Sequence, residues 1–175
     1  MMKTILMGLA LLISSLASNV YADVQYLTPE QFLTEAFAAG APKPELLWLT
    51  KDIAQQSEKI LGHAPMQLRQ RYWRIGDKSV WIFDEIGKEE PITAGFVISA
   101  GKISQVRVLT YRESRGWEVR YPAFLKQYQG IELQPDNYLS RNIDGISGAT
   151  LSVNAMNRMA RLALYFERVS RMGVQ

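Results

Sequence analysis

The residues with the most chemical promise stand together near the C-terminal end, in Asp144-Gly145-Ile146-Ser147-Gly148-Ala149-Thr150, directly before Leu151 and an apolar helix. A helix start presents unpaired backbone N–H groups and the positive end of a dipole. A loop that opens into one therefore suits a phosphate. Gly145 and Gly148 let the backbone bend and approach a ligand closely. Many helices begin with Ser, Gly and Thr, so local physics leaves a plain helix-capping loop open. A second stretch, Tyr111 to Arg120, packs Arg112, Glu113, Ser114, Arg115, Gly116, Trp117, Glu118 and Arg120 together. Such charge density fits a solvated loop or the border of a ligand, where Trp117 could stack on a ring.

Other chemistries find little support. There is no cysteine, which excludes disulfides, thiolate metal sites and attachment as a lipoprotein. His63 is the one histidine, and it lies between a helix end and Pro65 with no nucleophile motif nearby, so it reads as a surface or loop residue. Asp84-Glu85 and Glu89-Glu90 surround Gly87-Lys88 and read as a solvated turn rather than a hard-cation site. No P-loop or dinucleotide fingerprint is present. The formal net charge of +3 is too small and too evenly spread to argue for nucleic acid.

The Asp144–Thr150 string resembles the flavinylation motif of the FMN-binding domain family, Asp-x-x-(Ser/Thr)-Gly-Ala-(Thr/Ser), at every position. The resemblance extends upstream. Gly101-Lys102-Ile103 with Val106, Val108 and Leu109, then Glu113-Ser114 and Gly116, is similar to the family's strand and its Glu-Thr-x-Gly loop, with Ser114 where Thr is usual. Phe124, Gln127 and Gly130 fit a further segment of the family. Together these cover about Ile92 to Phe166. The resemblance implies FMN held covalently, through a phosphoester on Thr150. Asp144, Gly145, Ile146, Ser147, Gly148, Ala149 and Leu151 would surround it, and Glu113 and Ser114 would border the flavin. It also implies an ApbE-type flavin transferase as partner, drawing on FAD with Mg²⁺.

These residues need elements to position them. Met1 to Ala22 reads as a secretory signal peptide, with Lys3 in a basic start, an apolar run from Ile5 to Ile13 and a small-residue cleavage site at Val20-Tyr21-Ala22. The expected product is periplasmic, or membrane-anchored if the signal is not cleaved. Residues 23–64 are expected to form an N-terminal helical segment, and the resemblance implies an FMN-binding domain over 65–175. Thr28-Pro29-Glu30-Gln31 predicts a capped helix start, and that helix stops at Gly40. Glu45 to Leu61 reads as a second helix with Leu46, Leu49, Ile53, Ile60 and Leu61 as its buried stripe. Gln67 to Ile75 and Ser79 to Asp84 flank Gly76-Asp77 as one hairpin. Ile92 to Ser99 and Ile103 to Thr110 flank Gly101-Lys102 as another. Val106 and Val108 alternate with Gln105 and Arg107, giving one buried and one wet face. Pro122 to Gln129 predicts a short helix. Leu151 to Val169 predicts the last, with Val153, Met156, Met159, Ala160, Ala163 and Phe166 as packing. The expected fold is α+β, an antiparallel sheet of at least four strands against N-terminal and C-terminal helices.

Two functional classes follow. One is an exported flavoprotein domain transferring electrons between a membrane donor and an envelope acceptor, more an electron-transfer subunit than a self-contained enzyme, with a membrane or periplasmic redox partner and no nucleic acid. The other is a non-redox envelope module that binds FMN reversibly or docks a partner protein.

Overall fold

Both expected hairpins form, and they are the centre of a larger sheet. The computed structural model describes residues 24–173. The expected signal peptide, residues 1–22, lies outside them. The strands are β1 (Val24–Gln25), β2 (Glu45–Trp48), β3 (Arg69–Ile75), β4 (Lys78–Ile86), β5 (Pro91–Ser99) and β6 (Lys102–Tyr111). The helices are α1 (Pro29–Ala36), α2 (Lys51–Leu61), α3 (Pro122–Leu125) and α4 (Thr150–Arg171), with short 3-10 turns at Trp117–Arg120 and Lys126–Tyr128. All six strands join one antiparallel sheet in the order β1-β6-β5-β4-β3-β2. The α+β class and the helices from both ends of the chain are as the sequence implies.

Two local expectations are corrected. Glu45 to Leu61 is a strand followed by a helix. Glu45 pairs with Tyr72 and Trp48 with Arg69, and Thr50 then starts α2 by accepting the Ile53 N–H at 3.5 Å. Leu46 is consequently half-exposed, and the buried stripe of α2 is Ile53, Ser57, Ile60 and Leu61. Periodicity within one window cannot register a partner strand more than 20 residues away. The second hairpin turns at Ala100-Gly101, one residue earlier than expected, with Lys102 already in β6. Both turn residues have positive φ, 49° and 76°, as a two-residue hairpin turn demands.

Helices cover both faces of the sheet. Phe32, Leu33, Ala36 and Phe37, from α1 and its end, pack with Val80, Val97 and Leu109. The α1 start carries the expected capping box, with Thr28 N–H to Gln31 at 2.8 Å and Gln31 N–H to Thr28 at 3.1 Å. On the opposite face α4 sets Met156, Met159, Ala163 and Phe166 against Trp81, Phe83, Ala94 and Phe96. Strand β5 is therefore buried on both sides from Ile92 to Ile98. The far end of α4 is clamped by its buried Glu167, which accepts from Ser79 at 2.6 Å and Arg74 at 2.9 Å, and from Arg171. Burial opposes ionisation of that carboxyl, but the three donors outweigh it and hold it below the usual carboxylate range.

One contact tests this layering. A Cβ built on Gly95 would lie 2.2 Å from the ring of Phe32, so α1 reaches the sheet only because β5 has no side chain there. Gly95→Ala is expected to lower stability by about 1–3 kcal/mol through overpacking. Urea unfolding checks it, and Phe32→Leu in the same chain should recover part of the loss.

Candidate functional site

The Asp144–Thr150 stretch is an irregular segment that feeds into α4, and Thr150 is the first helical residue. The position before it is Ala149, whose methyl group cannot cap, and no side chain caps this helix. Ala149 N–H bonds to Ile146 O at 2.9 Å, and Val153 N–H to Ala149 O at 2.9 Å. The amides of Thr150, Leu151 and Ser152 are thus the ones left over among the described residues. The helix begins one residue earlier than expected, and the Val153 N–H already bonds within it.

The three hydroxyls here differ in environment. Ser147 and Thr150 are exposed and make no hydrogen bond among the described residues, whereas Ser152 is buried. Gly148 has φ +80°, a left-handed conformation that a side chain would strain, while Gly145 has neither a positive φ nor a close neighbour. Ile146 packs on the core and Leu151 is half-exposed. The Asp144 N–H is held by the Gln127 side chain at 2.8 Å. The exposed Asp144 carboxylate has no partner among the described residues, so it is the main chain of Asp144, not its side chain, that orders this loop.

Folding brings the charged loop to the same place. A cleft of about 610 Å³ is walled on one side by Glu113, Ser114 and Arg115 and on the other by Gly148 to Ser152, with Lys88 and Glu89 at its edge. Another cleft, of about 490 Å³, lies farther along α4. Glu113 has a more structural role than its sequence position suggests. Its Oε1 accepts the backbone N–H groups of Lys88, Glu89 (2.7 Å) and Glu90 (3.0 Å). A single carboxylate oxygen thereby shapes the turn that presents Lys88. Trp117 does not line this cleft. It lies in a neighbouring one with Val24, Tyr26 and Arg120. Arg112 donates to Pro91 O at 3.0 Å and Thr93 Oγ1 at 2.9 Å.

The side-chain roles of Tyr111 and Ser152 carried no sequence signal. The Tyr111 hydroxyl donates to Arg115 O at 2.5 Å and meets Ser152 Oγ at 2.9 Å. A carbonyl only accepts, so Tyr111 gives its one proton to Arg115 and Ser152 must donate to Tyr111. This buried relay ties the 112–116 loop to the first turn of α4. Gly116 completes it: φ is +87°, and a Cβ would lie 2.7 Å from Ser152 Oγ and 2.8 Å from the Tyr111 oxygen. A terminal strand tyrosine looks like ordinary core in sequence, and Ser152 like one more helix-start hydroxyl. Lys88 was hidden in an acidic patch whose members separate in the fold. Asp84 accepts from Thr93 at 2.5 Å, and buried Glu85 pairs with Arg158 at 2.7 Å and His63 at 3.2 Å.

These residues fit FMN. Uncapped amides beside a free threonine hydroxyl suit its phosphate, Arg115 supplies positive charge at the wall where Lys88 is paired with Glu89 at 2.7 Å, and the cleft falls in the ~300–1,000 Å³ range of small-molecule sites.

Residues 87–165 match the sequence model of the FMN-binding domain family. Every residue lining the Thr150 cleft falls within that range. The fold is similar to the crystal structure of Shewanella oneidensis NqrC, with a TM-score of 0.55 and 14% identity over 76% of this chain and 86% of that one. No curated protein matches the chain.

Glu113→Ala is expected to leave the fold intact while the amides of residues 88–90 exchange about tenfold faster, and to shift the flavin midpoint in loaded protein. Hydrogen exchange with a redox titration checks both; unchanged values would make the carboxylate idle. Tyr111→Phe breaks both bonds of the relay and should lower stability by about 1–3 kcal/mol, whereas Ser152→Ala breaks one and should cost less. In the double variant the two losses should not add, which a denaturant double-mutant cycle measures.

Proposed function

We propose that this protein, whose residues 87–165 match the sequence model of the FMN-binding domain family, is an exported flavoprotein that holds one FMN by a phosphoester on Thr150 and passes electrons between a membrane donor and an envelope acceptor. The observation that carries the reading is the start of α4. There an exposed threonine hydroxyl sits at the first helical position, beside three amides without intrahelical partners and no capping side chain, on a cleft of about 610 Å³. When bound, the flavin supplies one- and two-electron chemistry, joining two-electron donors to one-electron acceptors. Outside the cytoplasm a covalent tether also prevents loss by dilution.

The chain's own residues have separate tasks in this reading. Thr150 supplies the ester oxygen. Ser152, though close by, is withdrawn from that role by Tyr111 and by burial. Ser147 precedes the helix and lacks its first-turn amides. Gly148 and Ala149 keep bulk away from the approach of the transferase. Arg115 favours an anionic ligand by charge, while Lys88 is paired with Glu89 at 2.7 Å. Asp144, exposed and without a partner, is available to help hold Mg²⁺ while an ApbE-type transferase attaches FMN from FAD.

The test is peptide mass mapping of protein made alongside the transferase. Thr150→Ala should fold and carry no covalent FMN. Thr150→Ser keeps the hydroxyl and should retain some attachment, whereas Thr150→Val keeps the shape and should not. Ser147→Ala should still be modified. FMN found on Ser147, or still attached in Thr150→Ala, overturns the assignment.

A further inference from the structure

A second cleft, of about 490 Å³, lies between the C-terminal end of α2, the segment 138–143 and the flank of α4. It shares no residue with the cleft at Thr150. Its walls hold Lys59, Arg141, Arg158 and Arg161 and no carboxylate. Arg158 is compensated, since its Nε and Nη2 both bind the buried Glu85 at 2.7 Å. The other three cations have no ion-pair partner among the described residues.

Two of those three are held rigidly by only part of their guanidinium. Arg141 donates from one nitrogen, Nη2, to Gln127 O at 2.7 Å and Gln129 O at 2.6 Å. Arg161 donates from Nε to Asn137 O at 2.8 Å and lies over the Tyr138 ring, 4.5 Å from its centroid. Each keeps two further nitrogens without an acceptor among the described residues. A planar fork fixed this way loses little entropy when it grips an anion. The carboxamides add oriented donors. Burial pushes the Tyr128 phenol far above its ordinary range, so it stays protonated and donates to Asn157 Oδ1 at 2.6 Å. The Asn157 NH₂ group is thereby left as a donor. The side chains of Asn142 and Asn154 have no hydrogen bond among the described residues. Stapling of the 137–141 segment explains one nitrogen of each arginine and nothing about Lys59. Like charges that share a cleft repel, and an anion relieves that repulsion.

The geometry points to a site for a small polyanion, a molecule with two or more phosphate or carboxylate groups, gripped by Lys59, Arg141 and Arg161 and oriented by Asn154 and Asn157. The volume suits a small ligand, and three cations on two helices and a loop suit several anionic groups better than one. The site stands whether or not Thr150 carries flavin.

Calorimetric titration of the purified protein with pyrophosphate and with citrate, against sodium chloride of matched ionic strength, tests this. The expected result is one site for at least one of the two, and the tighter probe tells phosphate from carboxylate. Arg161→Gln should weaken binding about tenfold and Lys59→Gln roughly threefold, as loss of charge-assisted contacts predicts. Lys102→Gln, outside both clefts, should leave it unchanged. The Lys59 side chain makes no hydrogen bond among the described residues, so its variant remains informative even if Arg161→Gln loosens the 137–141 segment. No heat from either probe above the chloride control, or affinity that Lys59→Gln leaves within twofold, overturns the proposal.

Discussion

Helix α4 lies across the aromatic face of the sheet, with the Phe166 ring 5.9 Å from both Trp81 and Phe83, and Trp81 stacked 4.5 Å from Tyr72. Each such fully buried ring contributes on the order of 1.5–3 kcal/mol. The packing runs through Met156 and Met159 toward the N-terminal end of the helix, and Glu167 clamps the other end to Ser79 and Arg74. A helix held along its length cannot slide or roll. Its first turn is therefore delivered to a fixed place beside the end of β6. Both clefts inherit their position from that constraint: one is at the start of α4 and the other is on its flank.

The polar groups near α4 divide between scaffold and site. Glu113, Glu85 and Glu167 are each satisfied by the chain itself, the first by three amides, the second by Arg158 and His63, the third by Ser79 and two arginines. Buried or half-buried carboxylates without such partners would be costly. With those acids engaged, the groups left for a ligand are chiefly cations, backbone amides and the hydroxyls of Ser147 and Thr150, with Asp144 the unpartnered carboxylate of the loop among the described residues. Both clefts are accordingly suited to anions, but by different means. The first relies on a helix terminus and the second on pinned guanidinium groups.

Much of the fold was legible in the sequence where the controlling interaction is local. The Thr28–Gln31 capping box and the Gly76-Asp77 turn formed as read, because each depends on residues within a few positions, and Val106 and Val108 are buried as read although α1 covers the expected wet face at Leu109. The apolar spacing of α4 was likewise sufficient, since one helix face is set by its own periodicity. Of the site, the flavinylation-like string located the helix start and the two exposed hydroxyls, and the Glu113-Ser114 pair located the facing wall.

Only the tertiary structure decided the rest. Glu45 to Trp48 became a strand because Arg69 to Tyr72 offered it an edge, and the pairing of Val24 and Gln25 with Tyr111 and Thr110 is just as remote in sequence. Lys88 reached the cleft because Glu113 gathers the 88–90 amides, and Tyr111 became part of the site because its hydroxyl meets Ser152, 41 residues away. Arg141 and Arg161 look like ordinary surface charges until folding gives them a shared cleft without an acid. Periodicity and turn chemistry act over a few residues, so the sequence alone determined the elements and the string that marks the site. Burial and hydrogen-bond satisfaction act over distance in space, so which polar group ends up holding which is decided only when the sheet and α4 close on one another.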